Sequence, residues 1–232
     1  MCLSGFLRYN VDINKKRAVI AFYIAEKTMT NQKIKYYVVT TLFVAIVLLQ
    51  MIVPWLGVMP LGAFVIGASA TIIQFTVALA GILLGPKYGA VVGFFWGIMS
   101  FINAITHPGT IGSLMFQNPF TALIPRILVG FLVGLLFNYF LRKRSGTIRT
   151  IGLGILGIVA ALINTVGVVT LTTIGFTVMH TNFTGIPDQN LLSWLIGIVS
   201  FNAIFEMIVG FILITVVGNV LIPVAERANI KG

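Results

Sequence analysis

Cysteine occurs once in the chain, at Cys2, so no intrachain disulfide can form. Two histidines and five carboxylates in 232 residues leave too few ligands for a Cys/His metal site. Charge of either sign is scarce, at 9% of residues, and acidic charge is the scarcer. Catalysis within a bilayer needs a nucleophile with its base, a carboxylate pair or metal ligands. The long apolar runs of this chain hold one carboxylate, Glu206, and no histidine, which argues against an enzyme and implies no cofactor. A built-in nucleotide motor is equally unsupported. The stretch "GILLGPKY" (81–88) has a lysine but neither the spacing nor the Ser/Thr of a G-x-x-x-x-G-K-[ST] phosphate loop.

What the chain has in abundance is apolar surface: hydrophobic residues make up 58% of it, the composition of a polytopic membrane protein. Fifteen Lys and Arg against five Asp and Glu give a net charge of +10. The basic residues stand in short gaps between apolar runs, so the charge reports topology and not a nucleic-acid partner. A spanning helix needs about 20 mostly apolar residues. Cutting at charges, Pro, Gly and Asn clusters leaves six candidates, at 36–56, 67–84, 88–105, 122–141, 148–174 and 192–222. The predicted fold is an all-α integral membrane protein of six transmembrane helices with both termini cytoplasmic.

In that orientation the inner side holds Lys33, Lys35, Lys87, Arg142, Lys143, Arg144, Arg149, Arg227 and Lys231, and the outer half holds Arg126 alone. The outer loops fall at 57–66, 106–121 and 175–191. Residues 1–35 read as a cytoplasmic extension, because the apolar core of "NKKRAVIAFYIAEK" is only eight residues long and closes at Glu26 and Lys27. Met29 is an alternative start, which would leave 1–28 outside the native protein. The membrane domain then covers 36–225, with a cytoplasmic tail at 226–232.

Small residues recur every fourth position: Gly89, Gly93 and Gly97; Gly130 and Gly134; Gly157 and Ala161. Such stripes let helix backbones approach closely in lipid. Thr41 and Ala45 repeat the spacing on the first helix, where docking a partner helix is as good a reading as packing.

Polar side chains inside spans are costly and often functional. Trp96, Ser100 and Asn103 fall at i, i+4 and i+7, rising toward the outer surface. Asn202 and Glu206 share a helix face, Asn164 lies in the outer half of its helix, Gln74 lies in the second run, and Arg126 follows Pro125. Most of these residues are expected to converge in an outward-facing pocket, with interhelical hydrogen bonding the alternative for Asn103, Asn164 and Gln74. A buried arginine needs an anion, supplied by Glu206 or by a ligand carboxylate. Glu206 falls about fourteen residues into its helix, roughly 20 Å, while Arg126 is near the outer edge, so depth argues against a simple pair. His107 and His180 read as solvated loop residues, Asp188 as a turn or cap, and Trp55 and Trp194 as interfacial anchors. The residues describe a membrane-embedded binder with no motor of its own. The alternative is a stand-alone secondary carrier or channel-like protein using Glu206 as a proton or ion site, although no internal repeat supports it.

Three stretches carry a resemblance: "VMPLGAFVIGASATII", "GILLGPKYGAVVGFFWGIMSFINA" and "NPFTALIPRILVGFLVG". Over residues 29–225 the chain resembles the substrate-binding S components of energy-coupling factor (ECF) vitamin transporters, and within them the pantothenate-type members. Riboflavin, folate and hydroxymethylpyrimidine S components share much of the framework. The resemblance implies six helices and a vitamin bound at the outer face under the first outer loop, "PWLGVMPLGAF", a gate whose Gly57, Pro60 and Gly62 would let it hinge. It implies as partners a transmembrane coupling protein (T component) and two cytoplasmic ATPases, with substrate delivered by toppling of the S component in the bilayer. Thr41 and Ala45 sit where the family carries its coupling motif, with Thr at a position where Ala is common. The turn at Lys87 belongs to the face the coupling protein would meet. For pantothenate, Arg126 would pair the carboxylate, and Asn103, Asn164 and Asn202 would serve the amide and hydroxyls.

Overall fold

The computed structural model describes residues 32–60, 69–107, 115–179 and 191–230. The extension up to residue 31, Gly62, His180 and Asp188 lie outside the described residues, as does the side chain of Trp194. Helix α1 (Gln32–Ile52) leads to the one-turn helix α2 (Pro54–Gly57). Strands β1 (Val58–Pro60) and β2 (Ser69–Thr71) then pair antiparallel, with Val58 opposite Thr71. The remaining helices are α3 (Ile73–Leu84), α4 (Pro86–Thr106), α5 (Pro119–Leu136), α6 (Gly146–Met179) and α7 (Leu191–Arg227). Residues from Thr40 onward form one compact unit, and the packing below lies within it.

Five helical stretches among the described residues are long and apolar enough to cross a bilayer: Gln32–Ile52, Pro86–Thr106, Pro119–Leu141, Gly146–Gly175 and Asn202–Arg227. The chain is a multi-pass, all-α membrane protein. The run at 67–84 departs from the expected span. Among its described residues only Ile73–Leu84 is helical, and 12 residues reach about 18 Å at 1.5 Å per residue, short of the ~30 Å hydrocarbon core. The cause is local: Ser69, Ala70 and Thr71 are extended and paired with β1.

Helix α3 is the core of the unit, with every residue buried except Thr76, and α4, α5, α6 and α7 all pack against it. A single residue joins α3 to α4. Gly85 has φ 95°, a left-handed conformation that a side chain would strain, and its N–H closes α3 on the Gly81 carbonyl at 2.9 Å. Pro86 then opens α4 where its missing N–H costs nothing, and Lys87 is exposed in the first turn.

The glycine stripes pack within the chain. A Cβ placed on Gly89 would stand 2.6 Å from the Gly81 Cα, and one on Gly134 would stand 2.7 Å from the Gly81 carbonyl oxygen. Helices α3, α4 and α5 therefore meet backbone to backbone, the contact that small residues permit in lipid. On α1, Phe43 and Val47 are buried, while Thr41 and Ala45 lie on an exposed side with Leu42, Ile46 and Leu49.

Candidate functional site

Asn118 begins α5, its side-chain oxygen accepting from the Phe120 N–H at 3.0 Å. Seven residues on, Pro125 has no N–H to offer the Thr121 carbonyl one turn earlier. Arg126 takes up that carbonyl: its Nη1 donates to Thr121 O at 2.8 Å. The proline thus creates an acceptor and the next residue fills it, which ties the guanidinium back against its own helix. Arg126 is only 3% exposed.

Two aromatic rings enclose the cation. The guanidinium carbon lies 4.0 Å from the centroid of Phe116 and 5.1 Å from that of Trp96. Each contact contributes on the order of 0.5–2 kcal/mol when desolvated. Trp96 reaches this position because the glycines beside it bring α4 onto α5: a Cβ on Gly97 would sit 2.9 Å from the Leu123 Cα. Phe116 is held from the other side by Met115 and Val168 of α6. Gly167 lies against Pro125, where a Cβ would stand 3.0 Å from the proline Cβ, and this brings α6 and the turn containing Asn164 alongside.

A second polar cluster lies between α3 and α7. Glu206 Oε1 accepts from the Thr71 N–H at 2.8 Å, and Oε2 accepts from Gln74 Nε2 at 3.0 Å. The residue before α3, Ile72, supplies no side-chain cap. A carboxylate from another helix stands at this end, held by the last residue of β2 and the Gln74 side chain, where the helix dipole favours negative charge. Both Glu206 oxygens are therefore engaged by protein donors. Arg126 and Glu206 are not among the ion pairs formed by the described residues, where Arg149 and Glu226 meet at 3.3 Å.

Buried polar atoms with no protein partner among the described residues include Arg126 Nε, Gln74 Oε1, Thr121 Oγ1, Asn164 Oδ1, Thr172 Oγ1 and Asn202 Oδ1. Buried polar groups are nearly always hydrogen-bonded, and leaving one unmet costs about 1–3 kcal/mol. Those on α3, α5, α6 and α7 are groups that a polar ligand would satisfy. They offer one cationic donor, hydroxyls, and several amide oxygens.

The structure thus brings Arg126, Trp96 and the Asn164 turn together, and separately Glu206 with Gln74, Asn202 standing one turn before Glu206 on α7. Ser100 is buried on the Trp96 face. Asn103 falls at i+7 from Trp96 but is exposed near the end of α4, and the buried line of α4 runs from Trp96 through Ser100 to Ala104. Phe116 and Thr121 join the site without having been expected from the sequence. Thr121 was detectable, because Pro125 marks the carbonyl four residues earlier as orphaned. Among the described residues no group of three or more His, Cys, Asp or Glu could hold a metal ion.

Residues 35–218 match the model of a family described as "ECF transporter, substrate-specific component". The chain is 65% identical over 204 residues to the pantothenate transporter PanT of Leuconostoc mesenteroides subsp. mesenteroides, covering 88% of this chain and 100% of that protein. It is 31% identical over 173 residues to the pantothenic acid transporter PanT of Lactococcus lactis subsp. cremoris, covering 68% of this chain and 79% of the other. A family match over most of the chain, on a bundle with this buried polar centre, makes the protein a member of the substrate-specific components of ECF transporters.

Proposed function

We propose that this chain is the substrate-binding subunit of an ATP-driven vitamin importer and that its ligand is pantothenate. The observation that carries the reading is Arg126: a buried cation tied to Thr121, enclosed by Trp96 and Phe116, with Nε unpartnered among the described residues. Pantothenate is a small anion with a carboxylate, an amide and hydroxyls. Its carboxylate suits the guanidinium, and the oxygens of Asn164, Asn202 and Gln74 suit its N–H and O–H donors. The names of the two relatives support the same vitamin.

In this reading Glu206 is a positioning residue, its oxygens already committed to Thr71 of β2 and Gln74 of α3, and Ser100 borders the ligand beside Trp96. Asn103, being exposed, would reach the ligand only at the outer mouth. The β1–β2 hairpin would form part of the gate. Thr41 and Ala45 on the exposed side of α1, with Lys87 at the α3–α4 turn, would face the T component, and the two ATPases would supply the energy.

Calorimetry on the purified protein tests the ligand. Wild type should bind pantothenate and discriminate against pantothenol, in which an alcohol replaces the carboxylate. Arg126→Met, which keeps much of the length of the stem, should weaken pantothenate by about 10–100-fold, the worth of a charge-assisted hydrogen bond, and should erase the preference over pantothenol. Unchanged discrimination in the variant would remove Arg126 from the site.

A further inference from the structure

At the end of the bundle opposite Arg126, Ile82 and Leu83 of α3, Phe137 after α5, Ile222 and Ala225 of α7, and Ile230 beyond it line a cavity of about 400 Å³. Its rim carries Arg142, Lys143 and Glu226. We propose that this cavity is a binding site for an anionic phospholipid, with the phosphate held by Arg142 and Lys143 and the glycerol and upper acyl chain seated on the apolar floor.

The charge balance favours an anion. Glu226, the carboxylate on the rim, is paired with Arg149 at 3.3 Å, while Arg142 and Lys143 are exposed and form no ion pair with any described residue. Two cations thus stand over an apolar hollow with their charge uncompensated. The size lies within the ~300–1,000 Å³ range of small-ligand sites.

The backbone presents those cations through a local irregularity. Residues Phe137–Leu141 form a π-turn, in which the Arg142 N–H reaches back five residues to the Phe137 carbonyl at 2.9 Å. Such insertions recur at functional sites, because the extra residue re-aims the side chains that follow. Here it buries Phe137 and Leu141 inward and turns Tyr139 and Phe140 outward, where they are 82% and 60% exposed and stack edge to face. Exposed aromatic rings beside basic residues at a helix end are the arrangement of the membrane interface. This is also the end with the basic cluster, which the positive-inside bias puts in the leaflet rich in anionic lipid. A basic pocket between helices at that depth meets phosphate headgroups directly.

Native mass spectrometry of the full chain, exchanged into detergent with equimolar phosphatidylglycerol and phosphatidylcholine, tests the site. Wild type should retain phosphatidylglycerol selectively. Arg142→Ala/Lys143→Ala should reduce that adduct roughly thirtyfold, from the loss of two headgroup-proximal cations, and Arg142→Lys/Lys143→Arg should keep it. Ala225→Trp, which fills the floor and leaves the charges, should reduce it as well. Both alanine positions are exposed, and an unchanged melting temperature will show that the fold is intact. Equal retention of the two lipids, a double alanine variant that keeps its adduct, or an Ala225→Trp variant that does so would each overturn the proposal. So would loss of a co-purifying protein partner from the double alanine variant with lipid adducts intact, which would make this face a protein contact.

Discussion

Pro125 and Arg126 work as a unit. In a regular helix the Thr121 carbonyl would accept from the N–H of residue 125, and the arginine side chain would be free to extend toward water at the outer end of α5. Proline removes that donor, and the 2.8 Å bond from Arg126 Nη1 to Thr121 O follows from the vacancy. Pro125→Ala should restore the backbone bond and release the guanidinium. The expected outcome is a helix as stable as wild type or more so, with ligand affinity several-fold weaker, since about 1 kcal/mol of pre-positioning is lost. Thermal unfolding and calorimetry on the same variant separate the two effects. A parallel fall in both would mean that Pro125 serves packing alone, against Gly167. The Pro-Arg pair stands in the sequence for anyone to read. What fills its surroundings does not, because Phe116 reaches Arg126 from outside the helix and no periodicity links the two.

At the scale of elements, the glycine stripes were legible because four-residue spacing maps directly onto one helix face, and that face is where α3, α4 and α5 touch. The second run was not. Hydropathy over 67–84 is the same whether its first residues are helical or extended, and only pairing with Val58–Pro60 makes Ser69–Thr71 a strand. The short helix that results begins with no side-chain cap, and Glu206, 132 residues beyond Gln74, accepts from the Gln74 side chain in its first turn. That contact is tertiary, so the sequence shows Glu206 only as an intramembrane charge in search of a partner. Glu206→Ala should leave the Thr71 N–H and Gln74 Nε2 without an acceptor, costing about 1–3 kcal/mol for each buried donor. In the cycle with Gln74→Leu the double variant should lose less than the sum, by about 1 kcal/mol. Thermal unfolding in detergent measures both. Strict additivity would show that the two side chains do not share a bond.

At the scale of the whole molecule, both proposed sites depend on which end of the bundle faces the cytoplasm. Nine basic residues to one favour the end bearing Arg142 to Arg149, and Arg126, the exception, is buried and so carries no weight in that count. The lone cysteine makes the orientation measurable. In a Cys2→Ser background, His107→Cys marks the exposed end of α4 and Arg144→Cys the exposed turn before α6. A membrane-impermeant maleimide added to intact cells should label His107→Cys and leave Arg144→Cys unmodified until the membrane is permeabilised. The reverse pattern would put the Arg126 cluster on the cytoplasmic side, where it could not capture a nutrient from outside, and would move the Arg142–Lys143 cavity into the outer leaflet. A single inversion would thus overturn the importer reading and the lipid site together, whereas the expected pattern leaves each to stand or fall on its own variants.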